Sequence, residues 1–153
     1  MERPRDPTDA FITASRALVG LAVRTIDEAP VDVTLAQHRV LVLLAARGDL
    51  IVGDIAEDLG VNPSNATRIC DRLQRLGLIT LARSSQDGRV VVVALSNQGA
   101  TLVKEVTRRR RVEVERVLGR MTPEQTTRVV EALEIFNLAA GEIEDQDWTT
   151  PLW

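Results

Sequence analysis

Between Asn62 and Leu76 the chain sorts its side chains by chemistry. Ala66, Ile69, Cys70, Leu73 and Leu76 recur at helical spacing and form an apolar stripe. Ser64, Asn65, Thr67, Arg68 and Arg72 are left on the other side. Short polar groups in the opening turns of a helix reach base edges or phosphates with little loss of rotamer freedom. Arg68 is the candidate for a bidentate contact to guanine, a contact that discriminates by ~1–3 kcal/mol. Its competing reading is a salt bridge to Asp71 or Asp87. Arg72 suits a phosphate contact or an intramolecular brace equally. Further along, Ser85-Gln86-Asp87-Gly88-Arg89 reads as the tip of a hairpin, with Arg89 shaped for a minor groove. Asp87 repels phosphate, so its role is to fix Arg89 or to cap the turn.

The elements that position these groups are legible around them. A short helix over 53–59 turns Ile55, Ala56 and Leu59 inward, and Ala56 is small where two helices must cross closely. Gly60 supplies a turn that favours positive φ, Asn62 is a good N-cap, and Pro63 sits at the first helical position, where its missing N–H costs nothing. Gly77 ends the second helix. Leu78–Arg83 begins a strand, Asp87-Gly88 is a hairpin signal, and Val90–Leu95 returns with Val91, Val93 and Leu95 able to face the core. Two helices crossing at a tight turn and followed by a basic hairpin make a helix–turn–helix with a wing, a tool for the DNA major groove.

The flanks are helical. Thr8 to about Asp27 carries Phe11, Ala14, Leu18, Leu21 and Ala22, broadened by Val19 and Ile26. Thr34-Leu35-Ala36-Gln37 is a capping box opening a mostly apolar helix to about 47, closed by Gly48. Ser96 caps a long helix to about Arg120, and Thr122-Pro123-Glu124-Gln125 opens a last one to about Ile143, followed by an acidic, irregular tail. The expected fold is mainly α with a small β-hairpin: a winged helix–turn–helix lobe over 34–95, flanked by helices over 8–28 and 99–143, in one domain spanning 1–153. The flanking helices carry more apolar surface than a winged helix needs, in Val112, Val114, Val117, Leu118, Met121, Val129, Val130, Leu133, Phe136 and Leu138. Pairing two chains would cover it and present two reading helices to half-sites one helical turn apart. The alternative is packing within one chain.

Composition narrows the class. The net charge is −3, yet five arginines face two aspartates between Asn62 and Val93, a local +3 that leaves −6 elsewhere. Phosphates sense local charge, because screening acts within about 8–10 Å. Aromatic residues make up 3% of the chain, which argues against a single-strand stacking platform. There is no apolar run long enough for a membrane span, and the polar start Met1-Glu2-Arg3-Pro4 is no signal peptide. Cys70 is the single cysteine, in keeping with a reducing compartment. With one histidine, no Gly-x-Ser-x-Gly elbow, no phosphate-binding glycine loop and no His-Glu-x-x-His, neither a catalytic site, a metal site nor a cofactor site is expected.

The order of elements and their punctuation resemble the MarR family of bacterial transcription regulators. Asp87-Gly88-Arg89 is similar to the family's Asp-x-Arg wing tip, and Leu95-Ser96-Asn97-Gln98-Gly99 to its Leu-Thr-x-x-Gly strand exit. Thr67-Arg68 through Asp71-Arg72-Leu73, with Gly77-Leu78-Ile79, matches the recognition helix and its exit. Thr34 to Leu44 resembles the second helix, with His38 where an aromatic is common. The resemblance implies a cytoplasmic bacterial homodimer, most simply a repressor, that binds inverted-repeat operators in double-stranded DNA and is released by a small anionic or phenolic ligand. It implies a ligand cleft near the first, second and fifth helices, which Arg16 and His38 could line. The competing role for His38 is a structural replacement for the aromatic.

Two motifs stand apart. Arg108-Arg109-Arg110-Arg111 covers a full helical turn, so the four cannot share one partner; a solvated surface paired with Glu105, Glu113 and Glu115 competes with one arginine facing a cleft. Cys70, between Ile69 and Leu73, reads as a small core residue. A rival of another class is a winged helix reused for protein contacts without specific DNA binding.

Overall fold

The computed structural model describes residues 6–142, so the expected acidic tail lies outside the described residues. Helix α1 (Pro7–Asp27) opens on Asp6, whose carboxylate accepts from the Thr8 amide at 2.8 Å. Helix α2 (Leu35–Arg47) begins with the expected capping box: Thr34 accepts from the Gln37 amide at 3.2 Å, and Gln37 from the Thr34 amide at 2.9 Å. Then come β1 (Leu50–Ile51), α3 (Val52–Leu59) and α4 (Pro63–Arg75). Gly60 joins the two helices at φ 63, ψ 33, a left-handed conformation that glycine adopts at no steric cost. Strands β2 (Ile79–Arg83) and β3 (Val91–Leu95) lead into α5 (Asn97–Leu118) and α6 (Pro123–Ala140), the last opened by the Thr122/Gln125 box.

The sheet is antiparallel and three-stranded in the order β1-β3-β2. Its third strand was not legible: β1 has two residues, pairing Leu50 with Val93 and Ile51 with Val92. Arg83 pairs with Val91, so residues 84–90 form the wing loop. Asp87-Gly88 therefore makes no two-residue hairpin turn, and Gly88 does not take a positive φ. Instead the Val90 amide donates to the Asp87 carbonyl at 2.9 Å and the Ser84 amide to the Val90 carbonyl at 2.8 Å. Helix α6 stops at Ala140 rather than near Ile143 because Gly141 turns left-handed there. Helix α5 closes at Leu118, ahead of the expected Arg120.

The core gathers around α2. Val40, Leu41 and Leu44 meet Ile55, Ala56, Ala66, Cys70, Leu73, Val93, Leu102, Val103 and Val106, all buried. Ala56 and Ala66 are the small residues at the α3–α4 crossing. The terminal helices behave differently. Helix α1 buries Leu21, Thr25 and Ile26 but exposes Phe11, Leu18 and Val19, and α6 buries none of its residues. Phe11 and Phe136 stack with ring centroids 4.7 Å apart, so the two exposed stripes adjoin.

Candidate nucleic-acid interface

Helix α4 presents the polar residues as the spacing implied. Asn62 Oδ1 accepts from the Asn65 amide at 2.9 Å and from Ser64 Oγ at 2.7 Å, which fixes the first turn. Thr67, exposed, donates through Oγ1 to the Pro63 carbonyl at 2.9 Å. Asn65, Arg68 and Arg72 are exposed. Among the described residues no ion pair engages Arg68 or Arg72; Arg68 forms no bridge to Asp71 or Asp87, and Arg72 braces nothing.

The wing loop is organised from within. Arg83 Nη1 donates to the Gly88 carbonyl at 2.8 Å, and Asp87 Oδ1 accepts from the Arg89 amide at 3.0 Å. Asp87 thus caps the turn that carries Arg89, whose side chain is exposed. Thr67, Asp71 and Arg89 line one cleft of about 350 Å³ between the helix–turn–helix and the wing, floored by Ile51, Leu81 and Val91. Helix and hairpin residues therefore share a face. Cys70 lies buried beneath it, its thiol pushed up to about 11 by burial and then by Asp71, so it stays protonated at neutral pH.

The corner where α4 gives way to β2 is clamped to α5. Ser96 caps α5 by accepting from the Gly99 amide at 3.0 Å, donates through Oγ to the Gly77 carbonyl at 2.6 Å, and donates through its amide to the Leu78 carbonyl at 3.1 Å. A Cβ on Gly99 would lie 2.1 Å from the Leu78 carbonyl oxygen. The serine and the glycine of Leu95-Ser96-Asn97-Gln98-Gly99 are there because of this close approach.

A second cavity, about 400 Å³, lies where α2, α3 and α5 meet, lined by Leu35, His38, Arg39, Val42, Leu59 and Arg110. His38 is 3% exposed, and among the described residues its Nε2 has no hydrogen-bond partner. Burial, and then the nearby Arg110 guanidinium, lower its pKa to about 4, so the ring is neutral at pH 7. Of the four arginines, Arg108 and Arg109 pair with Glu105 at 2.9 and 2.7 Å and hold its carboxyl down to about 2, while Arg110 turns inward. Arg16 is exposed on α1 and does not line this cavity, so within one chain it is not brought to His38. Sequence reading missed the ion pairs behind the cavity. Asp58 accepts from Arg39 at 3.3 Å and Arg47 at 3.0 Å, and Arg39 also donates to Glu142 at 2.7 Å. No local spacing signals contacts so far apart in sequence.

Residues 31–90 match the MarR family model. The chain is also 34% identical over 108 residues to the uncharacterised HTH-type transcriptional regulator YfiV of Bacillus subtilis, covering 71% of this chain and 68% of YfiV. It belongs to the MarR family. MdtR of Bacillus subtilis, an HTH-type transcriptional repressor, is 37% identical over 93 residues, 61% of this chain and 60% of MdtR. The crystal structure of RV1404 from Mycobacterium tuberculosis superposes with a TM-score of 0.85 at 35% identity, covering 95% of this chain and all of that one. The chain is thus a MarR-family HTH-type transcriptional regulator, a DNA-binding protein of winged helix–turn–helix type.

Proposed function

We propose that this regulator is a homodimeric repressor that reads an inverted-repeat operator. The observation that carries the reading is that Ser64, Asn65, Thr67, Arg68 and Arg72 on α4 and Arg89 on the wing are all exposed, that Thr67 and Arg89 line one cleft, and that the three arginines are held by no ion pair among the described residues. Helix α4 enters the major groove with Arg68 on guanine and Arg72 on phosphate, and Arg89 enters the flanking minor groove. Residues 34–95 read the DNA, and the helices of 8–28 and 99–143 hold two copies together through the apolar surface of α1 and α6. The exposure of Leu138, 84%, and Ile135, 72%, supports that pairing. Repression has support from MdtR, whose name carries that role.

Control by a small anionic or phenolic ligand has its support in the His38 cavity, where two guanidiniums and a neutral imidazole meet apolar walls. Such a ligand releases DNA only by binding more tightly to the arrangement whose recognition helices are wrongly spaced. Arg16 joins this site only if the partner subunit brings it there.

Selection of duplexes from a random pool at near-physiological salt tests the reading. Enrichment of an inverted repeat with half-sites about 10 base pairs apart is the expected result. A folded, dimeric protein that enriches nothing would instead be a winged helix used for protein contacts.

A further inference from the structure

We propose that Arg83 is a positioning residue for DNA binding: with Asp87 it locks the Gly88–Arg89 peptide plane and thereby aims the Arg89 side chain. Arg83 is the last residue of β2, and its side chain turns back across the wing loop, where Nη1 donates to the Gly88 carbonyl at 2.8 Å. The N–H of the same peptide unit belongs to Arg89 and donates to Asp87 Oδ1 at 3.0 Å. One peptide plane is thus held at both of its polar atoms by side chains of opposite charge. The guanidinium sits at the negative end of the peptide dipole and the carboxylate at its positive end. Turning the plane over would set carbonyl against carboxylate and amide against guanidinium.

The clamp matters at this position because Gly88 has no Cβ to restrict rotation about its own backbone bonds. The torsions on either side of the plane set the direction of the Arg89 Cα–Cβ bond, and with it where that guanidinium can reach. The rest of the loop is held by hydroxyl and backbone bonds. Ser84 Oγ accepts from the Gln86 and Asp87 amides at 3.2 and 3.4 Å, and the Val90 amide and carbonyl pair with Asp87 and Ser84. The plane before Arg89 depends instead on two charged side chains. The competing role for Arg83 is a phosphate contact of its own. The consequence for DNA rests on the reading of Arg89 as a DNA contact; the clamp itself does not.

A double-mutant cycle separates aiming from direct contact. Arg83→Met keeps the aliphatic length and removes the donor, and it is combined with Arg89→Ala. Each full-length chain is titrated over a salt series with the duplex most enriched from the random pool, or with poly(dA-dT) if none is enriched. Arg83→Met should weaken binding about fivefold or more in the parent, and less than about twofold once residue 89 is alanine. In the free protein it should lower the order parameter of the Arg89 amide below about 0.6, with the thermal midpoint unchanged. Equal losses in both backgrounds, with the salt slope falling by about one each time, would make Arg83 a phosphate contact and overturn the proposal. An Arg89 amide as rigid in Arg83→Met as in the parent would overturn it too. A loosened amide, in a protein whose Arg89→Ala variant binds DNA like the parent, would uphold the clamp and remove the DNA reading of Arg89 instead.

Discussion

Arg110 reaches from the middle of α5 to α1, where its Nε lies 3.4 Å from Oγ1 of Thr25. Thr25 is itself buried and donates to the carbonyls of Leu21 and Ala22, both at 3.0 Å. The contact turns one arginine of the 108–111 run away from solvent and sets its charge beside His38, which burial already holds neutral.

That neutrality makes folding sensitive to acid. With a folded pKa of about 4 against an ordinary 6.5, the unfolded chain binds more protons between those values. The contribution of His38 is therefore complete above about pH 6.5 and is lost as pH falls toward 4, a change of order 2–3 kcal/mol. Urea midpoints from pH 7 to 4 should fall less steeply in His38→Phe than in the parent. Parallel curves would mean that His38 titrates normally.

The reading face separates into base and backbone roles. Arg68→Ala should cost ~1–3 kcal/mol of operator binding and relax preference at one position per half-site, with thermal stability unchanged. Arg89→Ala should lower both affinity and the salt slope. Asp87→Ala removes a negative charge from a DNA-facing surface, yet it should weaken binding, because it releases the Arg89 amide from its 3.0 Å bond and loosens the wing. Tighter binding by Asp87→Ala would show that charge outweighs order there. Binding isotherms over a salt series decide all three.

Gly99 admits no side chain. Gly99→Ala would drive a methyl against a backbone oxygen that α4, β2 and α5 hold in common, and a loss of about 2–3 kcal/mol in denaturant unfolding is expected. An unchanged midpoint would mean that the α5 terminus lifts off without penalty.

The apolar stripe of α6 is tested by charge. Leu138→Glu alters a side chain that is 84% exposed and buried by no neighbour among the described residues, so the subunit should keep its helical content. Sedimentation should then show monomer at concentrations where the parent is a dimer, with operator affinity falling in step. A variant that stays dimeric would move the interface off this part of α6.

Most of the reading tool was legible because its signals are local. Asn62, Pro63, Gly60 and the two capping boxes act over three or four residues, and each stands as its spacing implied. The wing was half legible: Asp87 caps as expected, but Gly88 marks a longer loop, since Arg83 and the Val90 amide shape the tip rather than a tight Asp-Gly turn. Strand β1 escaped notice because two residues carry no period; it exists only through its pairing with β3. The cavity was the least legible. His38 was visible as a polar residue on an apolar helix, whereas Arg110 arrives from α5 and its contact to Thr25 on α1 spans 85 residues, a separation that no local spacing signals.

The Ser96–Gly99 clamp has a mechanical consequence. Helix α5 has 22 residues, which makes a rod about 33 Å long. One end is bolted to the backbone corner at Gly77 and Leu78 with no side chain between to act as a cushion. A rod fixed in this way is a lever: a tilt of only a few degrees displaces its far end by roughly 2–3 Å. Run in reverse, a small slide at the far end of α5 swings the corner and the recognition helix with it, without slack. If two copies pair as proposed, operator spacing and subunit packing become a single mechanical variable, set at the distal end of one shaft.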